Sequence, residues 1–532
     1  MKTFFNCCCL LVLILIQVHS ACSQEALGHI VVVGNDGKIN LRIITVAEAQ
    51  AAGNGVMKIV LGDGTIGAAD LVPTSHTLAS PIRIQTPYGV RSWKKESQYA
   101  YAYGGENSDL FTGMAITDDG GFALGGYTNS WGAGSYDQLL VKTNASGTQS
   151  WAGVYGGTES ENGKSVIQRT EGGYVLLGTK SNGPIHYMYL NFINSTGSST
   201  LSGYFQPATG YTSGNDVIQC TDGNFVGAGY ADGFGAGGND VYVKKFDSTG
   251  SSIWGKAIGT TYDEVGREIV QRPDGGYVIV GYKTTESSGE NAYFLMIDSD
   301  GESEISYSIG GTGSDNAEAV CKSVDDGYVF VGKTSSYGDG DWNFYLVKRN
   351  AAGSGVWSKT FGGTGDDLGE DITSTDDGGF AITGKTTSFG AGGIDLWLIK
   401  TDSLGNPQWS WVFGGTGNDN GYAVQQGEDG CYYVSGITNS YGAGGNDGLL
   451  VKFTPDGESC LGYAVGFSSE MQALDENNST FKARRVDEFV TTNIQLEDKI
   501  IYPKSTVIKD RLQVDSTHSR DFITPATTSV CD

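Results

Sequence analysis

The stretch 375–402, TDDGGFAITGKTTSFGAGGIDLWLIKTD, places an Asp-Gly turn before an aromatic residue and a glycine-rich loop before a second apolar run. Taken alone, its glycines suit a phosphate-cradling loop. That chemistry requires a helix after the loop, so that the helix N-terminus meets the phosphate. Here a strand-like run, DLWLIKT, follows instead. The stretch also recurs along the chain. Anchored on the aromatic residue after the Asp-Gly turn, copies stand at Phe122, Tyr174, Phe225, Tyr277, Tyr328, Phe380 and Tyr432, spaced by 51 or 52 residues. Seven copies at a near-constant period define a repeat architecture before any motif does.

Each copy repeats the same local demands. Three residues before the anchor lies an acid, as in Asp119, Glu171 and Asp377, followed by the tight turn of a hairpin. Four residues after it lies a glycine, Gly126 through Gly436, which marks close approach of neighbouring backbone. The residues between are apolar on both strand faces, so they need cover on both sides. In the sixth copy, four strand-like segments read EDITST, GFAITGKT, DLWLIKT and QWSWVFGG. One small antiparallel sheet cannot bury two apolar faces, whereas seven arranged radially can. The expected fold is therefore all-β, a seven-bladed β-propeller with four-stranded blades over 98–466. A β-solenoid fits less well, because its coils are shorter. The tryptophan-type fourth strand occurs eight times, counting QYAYAYGG (98–105) and SCLGYAVG (459–466). One of these two is expected to close the ring by completing the blade begun at the other end.

With GGTGDD, TDDGGFAITGKT, DLWLIKTDSLGN and QWSWVFGG in view, the chain resembles the surface-protein β-propeller repeats of bacteria, archaea and some protists. The resemblance covers about two-thirds of the chain and implies a secreted or surface location. It also implies a blade whose innermost strand is EDITST and whose outer strand is QWSWVFGG. The second copy departs most, since it lacks the Gly-Ala-Gly-Gly loop and its Asp.

Composition bounds the rest. The chain has 532 residues, 81 of them Gly, with 28 Tyr, 21 Phe and 9 Trp, a mixture for a turn-rich β protein rather than a disordered linker. A formal charge of −26 without a basic block argues against nucleic acid or an anionic membrane surface as partner. Residues 1–20 read as a secretory signal, a positive start and a short apolar core, with cleavage expected after Ser20. No later segment reads as a membrane span. Residues 24–97 form a separate β-rich segment. Residues 467–532 are a polar tail, either flexible or a strand donor for self-assembly. Six cysteines remain after the signal, and Cys431 with Cys460 is the pair expected to bridge, if any does.

Three kinds of candidate site follow. Thirteen residues before the anchor stand Asp109, Glu161, Glu264, Asp315, Asp367 and Asp419, with Thr212 in the third copy. Such a ring would gather Ca²⁺ or a basic partner, or else each acid caps its own glycine loop. Asn144, Asn194, Asn477 and Asn478 lie in N-glycosylation sequons. No nucleophile motif or histidine cluster points to catalysis, and acid pairs would cleave glycosides only at a set separation in a cleft. The expectation is an exported, non-enzymatic scaffold for adhesion, matrix or filament assembly, acting through extracellular protein or glycan. An extracellular polysaccharide-acting enzyme or lectin, with its site at the propeller mouth, is the alternative. Near-uniform blades with protruding terminal strands count against the enzyme; a deep pocket lined by asymmetric acids, Tyr and Arg counts against the scaffold.

Overall fold

The computed structural model describes residues 99–457, except 208–209, 234–236, 287–288, 339–340 and 456, together with the backbone of strand segments on either side. The signal, Asn477, Asn478 and Cys460 lie outside the described residues. Two compact units divide at residue 97. The first holds three hairpins, Ala26–Val33 with Ile39–Thr45, Val56–Val60 with Ile66–Asp70, and Ile82–Thr86 with Gly89–Trp93.

The second unit is a seven-bladed β-propeller. In the sixth blade the strands run outward as Asp367–Ser374, Phe380–Thr386, Asp395–Thr401 and Pro407–Phe413, all antiparallel. EDITST is thus innermost and QWSWVF outermost. The other innermost strands begin at Asp109, Ser160, Tyr211, Glu264, Asp315 and Asp419. The ring closes through the N-terminal candidate: Ala100–Gly104 pairs antiparallel with Asp447–Phe453 as the fourth strand of blade seven.

The second and third strands are apolar on both faces because neighbouring blades cover both. Phe344 of blade five meets Trp397 of blade six at 4.9 Å, and Phe294 of blade four meets Tyr328 of blade five at 6.0 Å. Trp397 is fully buried, and burying one such side chain contributes roughly 1.5–3 kcal/mol. The turn between the first two strands is held by its acid. Asp377 accepts from Gly379 N at 3.0 Å and from Lys400 Nζ at 2.9 Å.

The innermost strand of every blade carries a β-bulge. In blade six the pairing shifts between Gly369 and Asp371, leaving Glu370 outside the ladder. The bulge drives a carbonyl into the second strand, at the glycine four residues after the anchor. A Cβ on Gly281 would sit 1.8 Å from Val265 O, and one on Gly384 2.0 Å from Leu368 O. That is the close approach for which the sequence keeps a glycine seven times.

The C-terminal chain circles the rim against the order of the blades. Ala483–Arg485 pairs with the outer strand of blade six, and Val490–Ile494 with that of blade five. Asp498–Ile501, Lys504–Val507 and Asp510–Val514 follow on blades four, three and two. Asp521–Ile523 and Ala526–Ser529 end the circuit on blades one and seven. Each outer strand would otherwise present an unpaired edge, a template for association. The tail therefore donates strands to its own blades.

Candidate functional site

The six recurring acids do not face solvent. Asp109, Glu161, Glu264, Asp315, Asp367 and Asp419 are all fully buried at the start of the innermost strands. Each accepts a hydrogen bond from the backbone four residues earlier: Asp109 from Gly105 N at 2.8 Å, Asp367 from Gly363 N at 2.8 Å, Glu161 from Gly157 N at 3.1 Å and Glu264 from Thr260 N at 3.0 Å. Asp315 and Asp419 do the same with Gly311 and Gly415. The loop serines add a second donor, as Ser388 Oγ does to Asp367 at 2.6 Å. These acids cap their own glycine loops, as Asp does in turns.

Their partners on the adjacent strand vary with them. Where the acid is Asp, a threonine stands opposite: Thr128, Thr334, Thr386 and Thr438. Where it is Glu, a lysine does, with Lys180 on Glu161 at 2.9 Å and Lys283 on Glu264. Thr212 faces Ala231. The short acid takes a neutral donor and the long one a cation, so charge and reach are matched blade by blade. A similar exchange occurs at the turn between the first two strands. Lys142, Lys245, Lys348, Lys400 and Lys452 pair with the turn acid in five blades, while Arg169 and Arg272 do so in blades two and four.

A second carboxylate approaches the clasp from the preceding blade. Asp395 lies beside Asp419, and burial with that neighbouring charge raises Asp395 to about 7. Burial and Asp109 raise Asp447 to about 6. Blades four and five place Asn291 and Asn343 at the corresponding position. Among the described residues no group of three or more His, Cys, Asp or Glu side chains is arranged to hold a metal ion.

The remaining candidates fall into the framework. In the glycine-rich loop of blade six, Ala391 N donates to Asp395 at 3.1 Å and Ile394 N to Asn418 at 3.1 Å, so two of its amides are already occupied. The Gly-x4-Gly-Lys-Thr spacing of a phosphate loop occurs at 327–334 and 379–386. Both copies run into second strands that are hydrogen bonded on both sides. Asn144 is exposed and Asn194 half-buried. Their side-chain carbonyls accept from Ser146 N and Thr196 N within the turn. Cys431 is buried in the core shared by blades seven and one.

What varies is the bulge. Its residue is Thr112, Lys164, Asn215, Arg267, Glu318, Glu370 and Tyr422 in the successive blades. Lys164 of blade two interacts electrostatically with Arg267, Glu318 and Glu370 of blades four, five and six. Those blades lie across the ring, so the side chains point toward a shared axis and feel one another's charge there. Several also reach the following blade: Thr112 donates to Gly163 O at 2.9 Å, Asn215 to Gly266 O at 2.7 Å, and Arg267 Nε lies 3.2 Å from Glu318. Burial, reinforced by Arg267, lowers Lys164, while burial and Glu318 raise Glu370. The next residue along stitches the inner strands: Asp216 accepts from Ser165 Oγ at 2.7 Å and Ile269 N at 3.1 Å, and Asp371 from Val424 N at 2.6 Å. Sequence reasoning passed over the bulge ring. The available signal was one position, ten before each anchor, where no residue type occurs more than twice.

The second unit is thus a closed seven-bladed propeller with a uniform framework and an irregular polar axis. No family model matches the chain, and no curated protein matches it. Among solved structures, Sqt1 from Chaetomium thermophilum is 12% identical over 68% of this chain and 99% of its own, with a TM-score of 0.40. A protein of unknown function from Dyadobacter fermentans is 15% identical over 54% and 93%, TM-score 0.34. A putative glycoside hydrolase from Parabacteroides distasonis is 11% identical over 76% and 98%, TM-score 0.25. At these scores none of them bears on the function of this chain.

Proposed function

We propose that the chain is a non-enzymatic β-propeller scaffold, exported or displayed at a cell surface, that serves adhesion, matrix or filament assembly by binding protein or glycan. The observation that carries this reading is the fate of the repeated carboxylates. All six of these acids are buried and bonded to their own loops and blades, so this recurring acidic position is framework. The reading is tested by expressing the tagged full-length chain and following it by cell fractionation and protease accessibility. Recovery outside the cell or on its surface is expected, and retention as a protease-protected cytosolic protein would overturn it.

A second reading draws on one feature of the axis. Glu370 is raised by burial and by Glu318, whereas Glu318 lies beside Arg267. A carboxyl raised by burial beside a second, ion-paired carboxyl suits glycoside hydrolysis. This reading predicts release of reducing ends from a polysaccharide, abolished by Glu370→Gln and by Glu318→Gln. The scaffold reading predicts none.

A further inference from the structure

Resting on that binding role, we propose that the axial mouth, lined by Lys164, Arg267, Glu318, Glu370, Tyr282 and Tyr422, holds a neutral, hydroxyl-rich oligosaccharide. The position is set apart by the fold itself. The bulge lifts one residue per blade out of the ladder, so the identity of that residue is free of the pairing that fixes its neighbours. Bulges elsewhere in proteins re-aim side chains in this way beside functional sites.

One charged group at the axis is left without a close partner. The Lys164 ammonium has no hydrogen bond or ion pair among the described residues, only longer-range charges from Arg267, Glu318 and Glu370 around it. Arg267 Nε, by contrast, is ion-paired with Glu318 at 3.2 Å, and the Asn420 amide nitrogen reaches Glu370 at 3.5 Å. An ammonium donates and does not accept, so it asks for an acceptor, which a sugar hydroxyl supplies.

Charge narrows the ligand class further. Two cations and two carboxylates cancel at the bulge level. An anion entering there meets Glu318 and Glu370, within a chain of net charge −26. A cation meets Lys164 and Arg267. A neutral molecule meets neither penalty. The aromatic residues complete the case. The Tyr282 ring lies 5.4 Å from the Arg267 guanidinium, with Tyr230 and Glu318 as further neighbours. Tyr422 stands beside Glu370 and Tyr127, and Tyr127 meets Tyr136 edge-on at 5.3 Å. Tyrosine offers a flat apolar face with a polar tip, which suits the C–H face and hydroxyl edge of a sugar ring. None of the seven bulge residues is aliphatic, so an apolar peptide side chain would find no matching pocket at that level.

The test is calorimetric titration of the full-length chain with neutral hexasaccharides of β-1,4-linked glucose, mannose and N-acetylglucosamine, beside a uronate hexasaccharide and an arginine-rich peptide. At least one neutral hexasaccharide is expected to bind. Its affinity should fall tenfold or more in Tyr282→Ala and fivefold or more in Lys164→Met. Lys164→Met breaks no bond within the protein, so its Tm should equal or exceed that of the wild type, and lost affinity cannot be blamed on misfolding. No binding of any neutral hexasaccharide, equal binding by both variants, or tighter binding of the uronate or the peptide would each overturn the assignment. Cleavage of a bound hexasaccharide would leave the mouth standing and remove the non-enzymatic reading. Absence of binding would remove the mouth and leave the export reading to its own fractionation test.

Discussion

The clasp ring and the bulge ring lie three residues apart in the same strand, yet they are built on opposite principles. Clasp positions repeat, and where they change, the opposite strand changes with them, Asp with Thr and Glu with Lys. Bulge positions change without any compensating change in the ladder, because they have left it. Compensated variation marks framework: each blade solves the same burial problem with its own pair. Uncompensated variation marks freedom, and in a ring of seven near-equal blades it is the axis that breaks the symmetry.

The largest effect is expected from cutting one clasp. Lys283→Met would leave Glu264 buried without its cation, at a cost of about 3–5 kcal/mol, read as a lower urea midpoint. The double change Lys283→Thr with Glu264→Asp recreates the pair used in four other blades and should restore most of that loss. If the double variant is no better than the single, the compensation is coincidence.

Next comes the backbone that joins the two rings. Gly281→Ala places a methyl 1.8 Å from Val265 O, so the bulge or the second strand must shift. A loss of about 3 kcal/mol is expected from such overpacking. A variant with unchanged stability would show that the bulge can move, and with it the side chains it presents.

A smaller effect concerns the paired carboxylates. Asp395 is raised to about 7 in the fold, above its unfolded value near 4. Between those values the native state binds more protons than the unfolded one, so stability falls as pH rises from about 4 to about 7 and stays lower above. Asp395→Asn, the residue type found at this place in blades four and five, removes the penalty. It should gain about 1–2 kcal/mol at pH 8 and little at pH 4, measured as Tm at both values. A loss at pH 8 would mean that the Asp395 charge is stabilised by a partner that outweighs burial and the repulsion from Asp419.

Much of this was legible in the chain. The period, the Asp-Gly turn and apolar runs on both strand faces led from residues to seven blades, because each depends on local geometry repeated seven times. The glycine after each anchor was read as a close approach, and the bulge supplies its cause. The burial of Asp109, Glu161, Glu264, Asp315, Asp367 and Asp419 was less legible. An acid before a strand reads the same whether it faces water or its own loop. Choosing QYAYAYGG over SCLGYAVG for ring closure also lay beyond it, since both match the outer-strand pattern equally well.

By itself the sequence determined the repeat, the order of strands within a blade and the turns between them. These follow from alternation, turn chemistry and period, which act over a few residues. Tertiary structure decided what lies far apart in the chain and close in space. It took Lys164, Arg267, Glu318 and Glu370, spread over more than 200 residues, and set them around one axis. It also laid Ala483–Arg485 through Ala526–Ser529 along the blade edges. Only ring closure brings those positions together, and closure is a property of seven packed sheets rather than of any single stretch.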